Sequence, residues 1–94
     1  MEMIHRDNGE EGAFVMKDGA STTGEITYFW TDDDRIAIDH TGVRRQYEGH
    51  GLGKKLVDAV VGFAREKKIG IVPLCPFARA LFDKDPSYGD VRSE

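Results

Sequence analysis

The run Gln46-Tyr47-Glu48-Gly49-His50-Gly51-Leu52-Gly53-Lys54-Lys55-Leu56 constrains this chain most, because a glycine-rich turn opens directly into an amphipathic helix. Glycine adopts backbone conformations that a Cβ forbids and lets the main chain come close to a ligand. The helix that follows leaves its first amides without intrahelical acceptors and carries partial positive charge there. Turn and helix end together suit a phosphate. Lys54 and Lys55 stand in the first turn, where cations oppose the helix dipole, and a bound anion accounts for them. The segment reads as a pyrophosphate cradle.

The elements around it follow from periodicity. Leu52, Leu56, Val60 and Phe63, with Val57, Ala59 and Ala64 beside them, recur at helical spacing to about residue 67. Lys67-Lys68 suits the end of that helix and Gly70 suits its C-cap. Ile71-Val72-Pro73-Leu74-Cys75 is a wholly apolar run, as in a buried parallel strand, and Pro76 opens a second helix over 76–84. Upstream, residues 7–12 are turn-like, Ala13–Met16 reads as a strand, and Asp18-Gly19 signals a hairpin into a strand over 22–30. In that strand Ile26, Tyr28 and Trp30 share one face. In the next, over 35–43, alternation puts Ile36, Ile38 and His40 on one face and Ala37, Asp39, Thr41 and Val43 on the other. The order is β-β-β-α-β-α. The last two strands, joined through a helix, should be parallel with a right-handed crossover. Ligands of such units sit beyond the carboxyl ends of the strands, which here are Thr41–Val43 and Leu74-Cys75, next to the glycine-rich turn.

Ninety-four residues, 39% hydrophobic and 32% charged, make one folded domain over 1–94. A net charge of -4 implies no basic surface for nucleic acid. One cysteine, Cys75, excludes a disulfide framework and suits a reducing compartment. Met1–Asp7 has no signal-peptide apolar region and no run is long enough for a bilayer, so no membrane partner and a cytoplasmic location are expected. His5, His40, His50 and Cys75 lack metal-ligand spacing, and Asp32-Asp33-Asp34 lacks that of a calcium loop, so no metal is expected.

The turn fails two familiar phosphate patterns. A P-loop needs glycine where Glu48 stands and Ser or Thr where Lys55 stands. Gly49, Gly51 and Gly53 do not space as G-x-G-x-x-G, and only one β-α-β unit is present. What remains is Q/R-x-x-G-x-G/A, met by Gln46, Gly49 and Gly51. With His40-Thr41-x-Val43, Val72-Pro73-Leu74-Cys75-Pro76-Phe77 and Pro86-x-Tyr88, it resembles the GNAT superfamily of N-acetyltransferases, and within it the small YjdJ-type branch. The resemblance runs from about residue 13 to 88. Two positions depart from it: Glu48 stands where Arg is frequent, and Asp85 where a basic residue or His is frequent.

The resemblance implies a mixed α/β (α+β) fold of minimal GNAT type. Antiparallel strands precede a β-α-β unit whose parallel pair splays apart, and a C-terminal helix follows. It implies acetyl-CoA as co-substrate, bound by Gln46, Tyr47, Glu48, Gly49, His50, Gly51, Leu52, Gly53, Lys54 and Lys55, with the amides from about Tyr47 to Lys54 holding the phosphates. Lys54 or Lys55 would reach the adenosine 3′-phosphate, and backbone groups of Thr41, Gly42 and Val43 would pair with pantetheine. The thioester would lie beside Cys75, a candidate nucleophile or acid, or else a buried filler. His40 is a candidate general base, and Tyr88 a candidate proton donor or a packing residue. The branch is expected to lack the terminal segments that form much of the acceptor pocket in longer relatives. The expected activity is acetyl transfer to a primary amine, small or protein-borne, by a monomer or homodimer. The alternative is a regulatory module that holds CoA with little turnover.

Overall fold

The computed structural model describes residues 1–93. Five strands form one sheet in the order of the sequence: β1 (Glu2–Asp7), β2 (Glu11–Asp18), β3 (Ser21–Asp32), β4 (Arg35–Val43) and β5 (Gly70–Pro73). The first four are antiparallel to their neighbours and β5 is parallel to β4. Helix α1 (Leu52–Lys67) makes the β4–β5 crossover, and α2 (Pro76–Lys84) follows β5. The expected mixed fold with a parallel last pair is the one observed.

Helix α1 lays Leu52, Leu56, Val57, Val60, Val61 and Ala64 on the sheet, where they meet Ile26, Tyr28, Ile36, Ile38 and Ile71 in one cluster. Ala78 and Phe82 of α2 enter that cluster from the same side. Helix α1 ends at Lys68, which takes the left-handed C-cap conformation (φ 59°), and Gly70 starts β5 instead of capping the helix.

The structure adds a strand that periodicity does not disclose. Glu2–Asp7 is an edge strand, polar and mostly exposed, with only Ile4 half-buried, so it has no amphipathic signature. It is tied to the sheet by side chains. His5 stacks on Phe14 at 4.1 Å and meets Phe63 of α1 edge-on at 4.6 Å. Its Nε2–H donates to Tyr28 Oη (2.7 Å), whose hydroxyl donates to Asp7 (2.6 Å). The turn that follows is closed by Asn8 Oδ1, which accepts from the amides of Glu10 and Glu11.

A second difference bears on the site. Tyr28 pairs with Ile38, but Thr27 pairs with His40, so Asp39 is an extra residue in β4. Such a bulge reverses the alternation beyond it. Thr41 and Val43, opposite Ile26 and Gly24, therefore turn to the α1 face with Ile36 and Ile38. His40 goes to the outer face, where its ring approaches the Cα of Gly42. The facial assignment of His40, Thr41 and Val43 from simple alternation is thus corrected.

Candidate functional site

Strand β5 pairs with β4 only from Arg35 to Ile38, whereas β4 runs on to Val43. The amides of Leu74 and Cys75 both converge on the Ile38 carbonyl (3.0 Å each), and there the chain turns away into α2. Arg44 N–H donates to Thr23 on β3 (2.9 Å). By the alternation of an antiparallel strand, Thr41 and Val43 then present their backbone groups to the opposite edge, where β5 has ended. The expected splay is present.

The glycine-rich turn closes the same space. Arg45–Tyr47 is a single 3-10 turn, and the helix begins after Gly49 (φ 85°) and Gly51 (φ 74°), both left-handed. A Cβ on either would meet nothing within 4 Å, so these glycines serve backbone conformation and not close packing. Gly53 differs. A Cβ there would lie 2.5 Å from the Phe77 ring of α2. Helix α1 has no side-chain N-cap and no acidic residue in its first turn. Among the described residues, no acceptor takes the amides of Gly49, His50, Gly51, Leu52, Gly53 or Lys54. A glycine at N-cap and six free amides make a cradle for anionic oxygen.

These features line one groove of about 360 Å³. Thr41 and Val43 form one wall, Tyr47 to Gly53 the end, and Lys54 and Phe77 the other side. Phe77, named above only within the Val72–Phe77 motif and with no site role, is 44% exposed. From the sequence a phenylalanine one place after the N1 proline reads equally as core, and only the tertiary structure leaves it at the groove. Glu48 lies on the groove rim, exposed. Gly42, between the two wall residues, faces β3. Gln46, His50 and Lys55 line a neighbouring groove on the far side of the turn.

Cys75 is the N-cap of α2 and is 6% exposed, with Sγ 3.6 Å from Thr41 Oγ1. Burial pushes its thiol up. The Ala78 amide, the Thr41 hydroxyl and the Phe77 amide outweigh this and hold it below its ordinary value. His40 is exposed on the other sheet face, and no hydrogen bond joins it to Cys75. Tyr88 is buried at 4% exposure and donates its hydroxyl to Asp58 of α1. Lys54 Nζ joins that pair, 3.1 Å from Asp58 and 3.4 Å from Tyr88 Oη. Burial, then the Asp58 hydrogen bond, raises the Tyr88 hydroxyl above its ordinary value.

The family model for GCN5-related N-acetyl-transferases matches residues 13–91. The chain belongs to that family. Membership places it among the acetyltransferases. Among solved structures it is similar to a GCN5-like protein of Staphylococcus aureus, determined by NMR, with 39% identity and a TM-score of 0.76. That match covers 98% of this chain and 87% of the other. A ribosomal-protein-alanine N-acetyltransferase of Brucella melitensis biovar Abortus shares the fold at 19% identity (TM-score 0.68) over 82% of this chain and 62% of its own. So does a GNAT acetyltransferase of Elizabethkingia anophelis with acetyl-CoA bound, at 18% identity (TM-score 0.61) over 68% of this chain and 42% of its own. The chain thus spans less than two thirds of the last two. None of the curated proteins matches it. No helix among the described residues is long and apolar enough to cross a membrane.

Proposed function

We propose that this domain binds acetyl-CoA in the groove beside the glycine-rich turn and transfers its acetyl group to a primary amine of a small molecule or a protein. One observation supports the reading: Gly49, Gly51, Leu52, Gly53 and Lys54, whose amides have no acceptor among the described residues, line the same groove as the unpaired edge of β4. The first suits pyrophosphate and the second suits the amides of pantetheine.

In this reading the thioester lies at the mouth of the β4–β5 splay, beside Cys75 and Thr41. The N–H of Val43 or a neighbour donates to the thioester oxygen, where charge develops as the amine attacks. A C–N bond forms, the C–S bond breaks, and CoA leaves as thiolate. The amine must reach the site deprotonated, and His40 or water takes that proton. His40 does so from the outer face, so the acceptor approaches across that face. Cys75, with its thiol held below the ordinary value, is suited to return a proton to the departing thiolate. His40 stands on the opposite sheet face from Thr41 and Cys75, and this separation favours direct transfer over an acetyl-cysteine route.

The test is titration with CoA by calorimetry, mass spectrometry after incubation with acetyl-CoA, and a screen of amine acceptors. Binding without a stable acetyl adduct, and turnover with some amine, is the expected outcome. Binding with no turnover on any amine would leave a CoA-holding regulatory module. Absence of binding removes the reading.

A further inference from the structure

The two edges of the sheet differ. At the β5 edge, Ile71 N–H donates to the Val91 carbonyl (2.6 Å) and Ser93 N–H donates to that of Ile71 (2.8 Å), so residues 91–93 cover it. At the other edge β1 has a neighbour on one side only. Asn8 N–H donates to the Glu11 carbonyl (3.0 Å), in line with the β1–β2 register. By antiparallel alternation Glu2, Ile4 and Arg6 then commit their backbone groups to β2, and Met3, His5 and Asp7 aim theirs outward. Side chains alternate as well. His5 lies on the α1 face against Phe14 and Phe63, with Met3 on the same face, and Glu2, Ile4 and Arg6 take the opposite face. Glu2 and Arg6 thus flank Ile4 symmetrically, two residues to either side, with opposite charge. Both are exposed, and among the described residues neither has an ion pair.

We propose that β1 pairs antiparallel with β1 of a second copy of this chain, about a two-fold axis at Ile4, and so joins two five-stranded sheets into one. The strand meets the condition of an isologous contact, which is self-complementarity. In this register Met3 faces His5 of the second copy, and each such pair exchanges two backbone hydrogen bonds from groups that already point outward. Ile4 faces Ile4, and Glu2 faces Arg6, in the intervening pairs, where side chains approach most closely. Ile4 also lies opposite Val15, which is 6% exposed, so an apolar row of two valines and two isoleucines crosses the axis between the charge pairs. A shift of two residues either way sets Ile4 against Glu2 or Arg6 and loses both charge pairs. A shift of one sets outward backbone groups against groups already held by β2. Charge and ladder therefore select the same register. Strand β1 lies at the far end of the sheet from the β4–β5 splay, so the pairing leaves the candidate groove open.

The experiment is sedimentation equilibrium from about 10 μM to about 1 mM, the range suited to an interface of one short strand a side. Wild type should rise from the mass of one chain to that of two. Glu2→Arg and Arg6→Glu each set like charges opposite one another twice in the dimer, and each should weaken association by about tenfold or more. An equimolar mixture of these two variants should regain wild-type association, because both contacts of the mixed pair again join opposite charges. The double variant Glu2→Arg/Arg6→Glu should regain it too. Both positions are exposed, so circular dichroism and urea melts should match wild type in every variant. A wild type that stays monomeric at the highest concentration overturns the proposal, as do single variants that dimerise like wild type or a mixture that fails to recover. The acetyl-CoA reading is untouched by any of these results, since CoA titration tests it separately.

Discussion

Glycines that look equivalent in the sequence have separable physical roles. Gly49 and Gly51 are left-handed with open space around them, so alanine there meets only a backbone penalty of about 1–2 kcal/mol. Gly49→Ala and Gly51→Ala should each destabilise the fold by that amount in denaturant melts, and also weaken CoA binding by re-aiming the amides. Gly53→Ala instead drives a methyl into Phe77, and overpacking of this kind costs about 1–3 kcal/mol. Because the obstacle is a side chain, Gly53→Ala with Phe77→Ala should recover much of that loss. No substitution at Phe77 should rescue Gly51→Ala. Cys75→Ala and His40→Ala bear on the chemistry: each should cut amine acetylation by roughly 10²-fold with CoA affinity nearly unchanged. Unaltered rates in both variants would leave neither residue a role in transfer.

Among the elements, β1 pairs with β2 along its length and is tied further by His5 and Asp7, and these two side chains make its attachment sensitive to acid. Burial is the main cause that lowers the His5 pKa from its ordinary value, against the opposing charge of Asp7. A group depressed in the folded state supports stability above its unfolded pKa and loses that support as pH falls through the folded one. Asp7 behaves likewise at lower pH. Burial pushes it up, but hydrogen bonds from Tyr28, Gly9 and Trp30 and the charge of His5 hold it below the usual range. Thermal stability should therefore decline from pH 7 towards pH 5, and His5→Phe should flatten that slope while leaving the decline below pH 4. A slope identical in wild type and His5→Phe would show that His5 titrates alike in the folded and unfolded chain. At the opposite end of the fold, Tyr88 links the segment after α2 to α1. Tyr88→Phe removes its bonds to Asp58 and Lys54, and by urea melts should lower stability by about 1 kcal/mol.

For the whole molecule, one helical layer covers one face of a five-stranded sheet, and the candidate groove opens where β4 outruns β5. A ligand seated there bridges the sheet edge, the turn and the starts of both helices, so binding and global stability must be linked. CoA at a hundredfold excess over its Kd should add about 2.7 kcal/mol, which raises the melting temperature of a domain this size by on the order of 10 °C. Differential scanning fluorimetry reads this directly. A flat response across CoA concentrations would contradict binding to the folded state.

The sequence alone determined the element order from residue 13 onward, the parallel last pair and the glycine-rich turn that opens α1. Those features arise from local causes: helical spacing of Leu52, Leu56 and Val60, the backbone freedom of Gly49 and Gly51, and the proline that starts α2. Tertiary structure decided three other matters. It recruited the polar Glu2–Asp7 segment as an edge strand through cross-strand contacts to Phe14 and Tyr28. It inserted Asp39 as a bulge, which put His40 on one face and Thr41 beside Cys75 on the other. It also committed Lys54 to Asp58 and Tyr88, whereas the adjacent Lys55 has no such partner among the described residues. Each depends on partners distant along the chain, such as β3 opposite β4 and Tyr88 opposite α1. Strand register and side-chain pairing are set by those partners, and no local periodicity carries them.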